Sequence, residues 1–266
     1  MAFTDIHSHI LPGFDDGAAN DGEFLQMAAL ALRGGTSCMV ATPHCDLEDP
    51  LPRLEDIPIT VEQYRELLRS RSLGLDLVPG VEVRINAGLY RWARESGEME
   101  RLTLAGNGRY LLADLPLGDM PNAAADILFL VQLRGVTPIL AHPERNRLLA
   151  SRPERVRELA ERGIVIQVNS GSLLGLYGRA AMRCAAALLS QGLVRVVASD
   201  AHGPAARDPD LSPAHALLVR SLGEDAARLL LEENPAAVLA GEETAAVAAK
   251  PPRRLRLFAP LRRHGL

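Results

Sequence analysis

Two histidines separated by one residue, His7 and His9, close the first apolar stretch of the chain, and Asp15-Asp16-Gly17 follows within a few residues. Residues two apart in a strand share a face, so both imidazoles project to the same side. Two imidazoles held close together can share a divalent cation, and Pro12-Gly13 turns the chain so that Asp16 can return to the same place. An H-x-H pair alone is equally compatible with histidines that serve the core or a loop. The assignment therefore turns on whether the rest of the chain supplies more ligands.

It supplies them at regular intervals. Apolar runs at 37–41, 75–79, 110–114, 137–141, 164–168 and 194–198 read as short buried strands. Between them, stretches of helical period fall at 22–33, 61–72, 87–95, 123–134, 154–162 and 180–191. Residues 46–60, rich in proline and acid, read as a surface loop of a length that often serves function. Counting the first strand, seven strand–helix units follow one another, which argues an α/β fold with parallel strands closed into a (β/α) barrel. His7, His9, His44, Glu82, Asp114, His142, Asp200 and His202 all lie just past a strand's C-terminal end, where barrels build their sites. The other two histidines, His215 and His264, are expected on the surface. Further helices are expected at 213–222 and 224–231, with a last helical turn from Asn234-Pro235.

The composition sets limits. At 266 residues, 47% hydrophobic and 23% charged, the chain suits one globular domain, expected at 1–241, with a basic and flexible tail at 242–266. It has no apolar run long enough to span a bilayer and no leader-like segment, so a cytoplasmic protein is expected. The net charge of −4 hides an asymmetry: all six charged residues from Lys250 onward are basic, leaving 23 basic against 33 acidic residues before them. A body with net charge −10, no basic stripe and ten aromatics in the whole chain excludes an ordinary nucleic-acid binder. Three cysteines without a C-x-x-C pair suggest neither disulfides nor a zinc knuckle. Cys38 and Cys184 read as buried thiols; Cys45, beside His44, reads the same way, with a peripheral ligand as its alternative.

Taken together, these motifs resemble the PHP (polymerase and histidinol phosphatase) family. The pieces are His7-Ser8-His9, His44, Glu82, Ala141-His142-Pro143-Glu144-Arg145 and Ser199-Asp200-Ala201-His202. Within that family the chain looks most like the bacterial manganese-dependent protein-tyrosine phosphatases encoded with capsule and exopolysaccharide genes. Asp5-Ile6-His7-Ser8-His9-Ile10-Leu11-Pro12-Gly13 running into Asp15-Asp16-Gly17, and Gln167-Val168-Asn169-Ser170-Gly171-Ser172, carry that narrower likeness. The resemblance spans residues 3 to about 240. It implies a distorted seven-stranded (β/α) barrel holding up to three divalent metals, usually Mn²⁺, with Fe or Zn as alternatives. It also implies metal ligands at His7, His9, Asp16, His44, Glu82, Asp114, His142, Asp200 and His202, and phosphate held by Arg145 and Arg207. The family pattern has glutamate where this chain has Asp114, which shortens one ligand by a methylene.

A ligand set of imidazoles and carboxylates without thiolate suits Mn, Fe or Zn. The expected reaction is attack of a metal-bound hydroxide on phosphorus, with arginines forked to the equatorial oxygens and Asp200 at the reacting centre. Cysteine-dependent tyrosine phosphatases need Arg six residues after the nucleophile. Here those positions hold His44, Leu51 and Ser190. Arginine is the chain's default base, 28 against one lysine, so Arg145 and Arg207 also have a reading as surface residues. Ser170-Gly171-Ser172 reads equally as an anion-facing turn or a helix cap. The expected function is hydrolysis of phosphotyrosine on a protein, with a bacterial tyrosine autokinase of polysaccharide export as the implied partner. A small phosphomonoester such as histidinol phosphate is the alternative substrate, and a catalytically weakened regulatory barrel the alternative class. Leu255, Leu257, Phe258 and Leu261 among the tail arginines allow weak contact with anionic lipid, against a solvated tail as the plainer reading.

Overall fold

In the computed structural model, residues 2–49, 54–118 and 120–249 are described. Nine strands run in chain order: β1 (Phe3–Ser8), β2 (Thr36–Ala41), β3 (His44–Cys45), β4 (Asp76–Pro79), β5 (Glu82–Arg84), β6 (Tyr110–Asp114), β7 (Thr137–Leu140), β8 (Val165–Asn169) and β9 (Val194–Ala198). Every pairing between them is parallel, in a three-stranded sheet β1-β2-β4 and a six-stranded sheet β3-β5-β6-β7-β8-β9. Two pairs of these strands are halves of one strand position. Thr42-Pro43 separates β2 from β3, where proline cannot donate to a ladder, and Gly80-Val81 separates β4 from β5. Backbone bonds still cross the breaks, from Gly80 N to Ala41 O (2.9 Å) and from Glu82 N to Pro43 O (3.1 Å).

The ring of seven strand positions closes through the end of β1. His9 N donates to Ala201 O (2.8 Å), Asp200 N donates to His7 O (2.9 Å), and Ser8 bridges Ala201 in parallel. This is the distorted seven-stranded α/β barrel that the strand count predicts.

Eleven α-helices are described: α1 (Asp21–Arg33), α2 (Asp56–Ser70), α3 (Ala87–Glu95), α4 (Ala124–Leu133), α5 (Arg147–Ser151), α6 (Pro153–Glu161), α7 (Ser170–Leu173), α8 (Gly178–Ser190), α9 (Ser212–Leu222), α10 (Glu224–Arg228) and α11 (Asn234–Ala240). Strand alternation sorts the core into two layers. In β6, Leu111 and Ala113 join the large cluster under the helices, while Tyr110 and Leu112 join Ile6, Val40, Ile139 and Val196 inside the ring. The same period sets Asp114 on the inner face at the strand's end.

Several elements differ from the sequence reading. α2 begins at Asp56 rather than 61, because Pro58 lies in its first turn, where no intrahelical N–H is needed. Residues 50–53 of the expected loop lie outside the described residues. α10 runs into a π-helical turn, Leu229–Glu233, that leads into α11. His215, expected on the surface, is buried: its ring lies 5.1 Å from that of Phe3, a contact between chain ends that local pattern cannot reveal. His264 lies outside the described residues, as do the tail's arginines and apolar residues from 250 onward. Residues 242–249, placed with the tail by composition, lie against the barrel. Tyr110 Oη donates to Glu242 O (2.6 Å), and Val247 joins the main core.

Asn234 fastens that segment. Its side chain is buried, and from there its Nδ2 donates to Arg195 O and Ala245 O and its Oδ1 accepts from Ala245 N, all at 2.8–2.9 Å. Asn234→Ala removes the three bonds that hold the segment to the barrel, an expected loss of about 2–3 kcal/mol. Urea denaturation followed by circular dichroism should show a lower midpoint with an unchanged slope.

Candidate metal centre

The strand ends deliver imidazoles and carboxylates to one buried point. His7 Nδ1 lies 3.1 Å from Gln167 Oε1 on β8, and His9 Nδ1 lies 2.6 Å from Asp15 Oδ2. With both Nδ1 atoms acting as donors, each Nε2 carries a lone pair. The two Nε2 atoms are 3.3 Å apart, and each lies 3.3–3.5 Å from Glu82 and Asp200. Two lone pairs and two carboxylates facing one another repel unless a proton or cation stands between them.

Three overlapping groups result, each with its ligand atoms within 4.8 Å of one another: His9, Asp16, His44 and His202; His7, Glu82 and His142; His7, His9 and Asp200. Eight of the nine residues expected from the sequence are therefore brought together. Asp114 stands at the edge. Its Oδ2 pairs with Arg84 at 3.3 Å, and its Oδ1 is 3.9 Å from His142 Nε2. Asp16 is the most open member, with its carboxylate 3.4–3.5 Å from His202 and His44. Arg145 and Arg207 each place a guanidinium nitrogen 2.6 Å from Asp200, on its two different oxygens.

The donors fit a hard-to-borderline divalent metal. Oxygen and imidazole nitrogen make up the whole set, and the fully buried Glu82 has imidazole nitrogens facing both its oxygens, His142 Nε2 at 3.0 Å and His44 Nδ1 at 2.7 Å. Charge balance acts in the same direction. Burial pushes against ionisation of Glu82 and Asp200, but the surrounding histidines outweigh it and hold both carboxyls well below their usual range. Burial likewise opposes charge on His9 and His142. Asp15, Asp200 and Glu82 nevertheless hold His9 well above its ordinary value, and Glu82, Asp200 and Asp114 raise His142 to about 9. His202 goes the other way, down to about 3, through burial and the charges of His9 and Arg207. Asp114 is raised by burial and by the Glu82 charge.

Local backbone is bent to build this point. His142 (φ 32°) and Asp200 (φ 54°) both adopt the left-handed region just after β7 and β9, a conformation that costs a non-glycine residue free energy and clusters at functional sites. At Gly17 a Cβ would collide with the His9 carbonyl oxygen, so only glycine lets the Asp15-Asp16 loop fold back onto His9. Gly17 N in turn donates to Asp15 Oδ1 (3.0 Å).

Four supporting residues escaped the sequence reading. Asp15 orients His9 and also accepts from His44 N (2.9 Å). Gln167 orients His7, and Asn169 Nδ2 donates to Asp200 Oδ2 (2.6 Å). Tyr177 lies with its ring centroid 4.2 Å from the Arg145 guanidinium carbon, on a site left open by Gly171, whose Cβ would press on that ring. Glu144 accepts from Ser172 Oγ (2.6 Å) and Asn169 N (3.0 Å), so the Ser170-Gly171-Ser172 turn acts as internal bracing. The signal for Gln167 and Asn169 was their inward period on β8; Asp15 and Tyr177 act through long-range contacts that carry no pattern.

A protein-family model described as capsular polysaccharide synthesis, CpsB/CapC, matches residues 3–240. The chain is 30% identical over 254 residues to the tyrosine-protein phosphatase YwqE of Bacillus subtilis (strain 168), a match covering 96% of this chain and 98% of that protein. It is 28% identical over 243 residues to the tyrosine-protein phosphatase CpsB of Streptococcus pneumoniae, covering 88% and 97%. A chain from the crystal structures of YwqE and CpsB, described as unique metal-dependent tyrosine phosphatases, superposes with a TM-score of 0.85 at 30% identity, covering 94% of this chain and 100% of that one. The phosphotriesterase homology protein of Escherichia coli shares the fold alone, with a TM-score of 0.57 at 15% identity over 88% of this chain and 97% of that one.

Asp15→Asn keeps the size of the side chain and removes the charge that fixes His9. The expected result is metal affinity lower by about ten- to a hundredfold with an unchanged circular dichroism spectrum, read by competition with a fluorescent chelator. A second expectation concerns protons. His142, raised to about 9 in the metal-free protein, carries a proton at about pH 7 that a metal must expel, so affinity should rise with pH through that range. Calorimetric titration of the metal in buffers of different ionisation enthalpy measures the released protons directly.

Proposed function

The chain belongs to the capsular polysaccharide synthesis family CpsB/CapC, and from that membership we infer that it is a metal-dependent protein-tyrosine phosphatase hydrolysing phosphotyrosine on a protein. The observation that carries the reading is the pairing of a buried imidazole–carboxylate centre with two arginines that meet on Asp200.

His7, His9, Asp16, His44, Glu82, His142, Asp200 and His202 are the residues we assign to the metals, with Asp114 as a ninth, peripheral member. Manganese is the metal proposed, with up to three ions per chain and iron or zinc as substitutes. When bound, such ions supply Lewis-acid charge stabilisation and bring the pKa of a water toward neutrality. Arg145 and Arg207 are assigned to the substrate phosphate, since a planar guanidinium can fork to two of its oxygens. Both are partly exposed at the mouth, where a phosphate can reach them. Asp200 sets the orientation of both guanidinium groups. A tyrosyl phenolate, with a pKa of about 10, leaves more readily than an alkoxide and needs less protonation in the transition state.

Cysteine chemistry is disfavoured on physical grounds. Burial pushes the thiols of Cys38, Cys45 and Cys184 up to about 12, so none supplies a thiolate near neutral pH. The residues six positions after them, His44, Leu51 and Ser190, are not arginine, which agrees with this. The proposed partner is a bacterial tyrosine autokinase that controls capsule or exopolysaccharide synthesis, and the proposed location is the cytoplasm. In support, no described helix is long and apolar enough to cross a membrane.

The deciding experiment gives metal-stripped protein a phosphotyrosyl peptide, a phosphoseryl peptide and histidinol phosphate, with Mn²⁺, Fe²⁺ or Zn²⁺ added back. Manganese should restore hydrolysis most strongly on the phosphotyrosyl peptide, and Arg145→Lys should lose about a hundredfold in kcat/KM, as loss of a forked contact predicts. Preference for histidinol phosphate, or activity without any metal, would overturn the reading.

A further inference from the structure

Two grooves lead away from the centre, and they differ in charge. One, of about 320 Å³, is bordered by Phe14, His44, Asp46, Asp49, Arg84 and Asp114. Its arginine is already spent on Asp114, so its outer wall presents the carboxylates of Asp46 and Asp49. The other, of about 460 Å³, lies between α5 and α8 and is bordered by Leu117, Arg145, Arg147, Ala150, Tyr177 and Ala181, and by Glu144, whose side chain is buried and bound to Ser172 and Asn169. Arg145 belongs both to this groove and to the centre, where it holds Asp200, so the groove opens directly from the phosphate position assigned above.

The walls of the second groove are fixed. Asn146 caps α5 by accepting from Leu149 N (3.0 Å), and its Nδ2 donates to Pro116 O (2.6 Å). Arg147 N donates to Leu117 O (2.9 Å), which ties the loop after β6 to the start of α5. Alanines on the facing sides of α5 and α8 leave room for an extended backbone, and half-exposed Leu117 offers apolar contact at the rim. The Arg147 side chain is exposed and forms no ion pair among the described residues. The first turn of α8 across the groove contains no acidic residue.

We propose that the groove between α5 and α8 receives the residues flanking the phosphotyrosine and selects acidic peptides through Arg147. This rests on the tyrosine phosphatase reading and adds a direction to it. An acidic segment is drawn along the Arg145–Arg147 wall and repelled from the Asp46–Asp49 wall, so charge fixes which way the peptide lies. Tyr177, beneath Arg145, marks the boundary between the phosphate position and the flanking subsite.

The test uses the full chain with manganese and three substrates: a small aryl phosphate, a phosphotyrosyl peptide with acidic residues on both sides, and the same peptide with those residues neutralised. The unaltered protein should favour the acidic peptide by about tenfold in kcat/KM, mostly through KM, and the preference should shrink as salt screens the charges. Arg147→Ala should remove most of the preference and Arg147→Glu should reverse it. Hydrolysis of the aryl phosphate, which has no flanking residues, should stay within about twofold in both variants. Hydrolysis of the aryl phosphate with equal rates on the two peptides, or an undiminished preference in Arg147→Glu, overturns the subsite and leaves the phosphatase reading standing. Failure of the unaltered protein on all three substrates overturns both.

Discussion

Burying Asp200 as an anion is the demand around which this protein is built. An isolated carboxylate taken from water into a low-dielectric interior costs several kcal/mol or more even after relaxation. Here it is compensated from every side. Arg145 and Arg207 reach its two oxygens, Asn169 donates to one of them, and His7 and His9 stand 3.5 Å away. Glu82, also fully buried, faces His7, His9, His44 and His142. Neither carboxylate could remain ionised there without cations beside it. The centre is a charge-balance arrangement before it is a catalytic one.

The barrel meets this demand through its strand ends. Parallel strands covered by helices give a dry interior, and their C-terminal ends are where side chains can turn toward a common point. Closure between β1 and β9 is made by the same residues that form the candidate metal centre: the His7 carbonyl accepts from Asp200 N, and His9 N donates to the Ala201 carbonyl. Loss of closure would separate the ligands, and repulsion among unbalanced ligands would oppose closure. Left-handed backbone at His142 and Asp200 is tolerated because their side chains are held on several sides.

Much of this was legible in the sequence, for a definite reason. Strand periodicity places His7, His9, Glu82, His142 and Asp200 at strand ends, and a barrel converts that one-dimensional position into proximity. Residues that act by reaching across the fold gave no such signal. Asp15 adjoins the residue that was assigned, yet its role is visible only once its carboxylate is found on His9 Nδ1. Tyr177 lies in an unremarkable loop and matters because of Arg145. His215 looked like a surface residue because its partner, Phe3, is at the other end of the chain. The proline at position 58 was read as a loop signal, whereas its place in a first turn is permissive of helix. Pro58 apart, where the local signal itself allows either reading, the missing information was tertiary.

The two arginines show how the balance around Asp200 can serve a substrate without being dismantled. A guanidinium has five donors, so one bond to Asp200 leaves the rest of its edge available. Arg207 places Nη2 on Asp200 and also interacts with the buried hydroxyl of Tyr177 beside it. Arg145 is held on one face by the Tyr177 ring and at one end by Asp200, which limits the directions in which its remaining donors can point. On the proposed assignment of Arg145 and Arg207 to the substrate, an incoming phosphate dianion need not break these ion pairs, because it can use donors they leave free. The geometry keeps the positive groups in place before substrate arrives, and that preorganisation is what makes electrostatic stabilisation cheap at the moment of reaction.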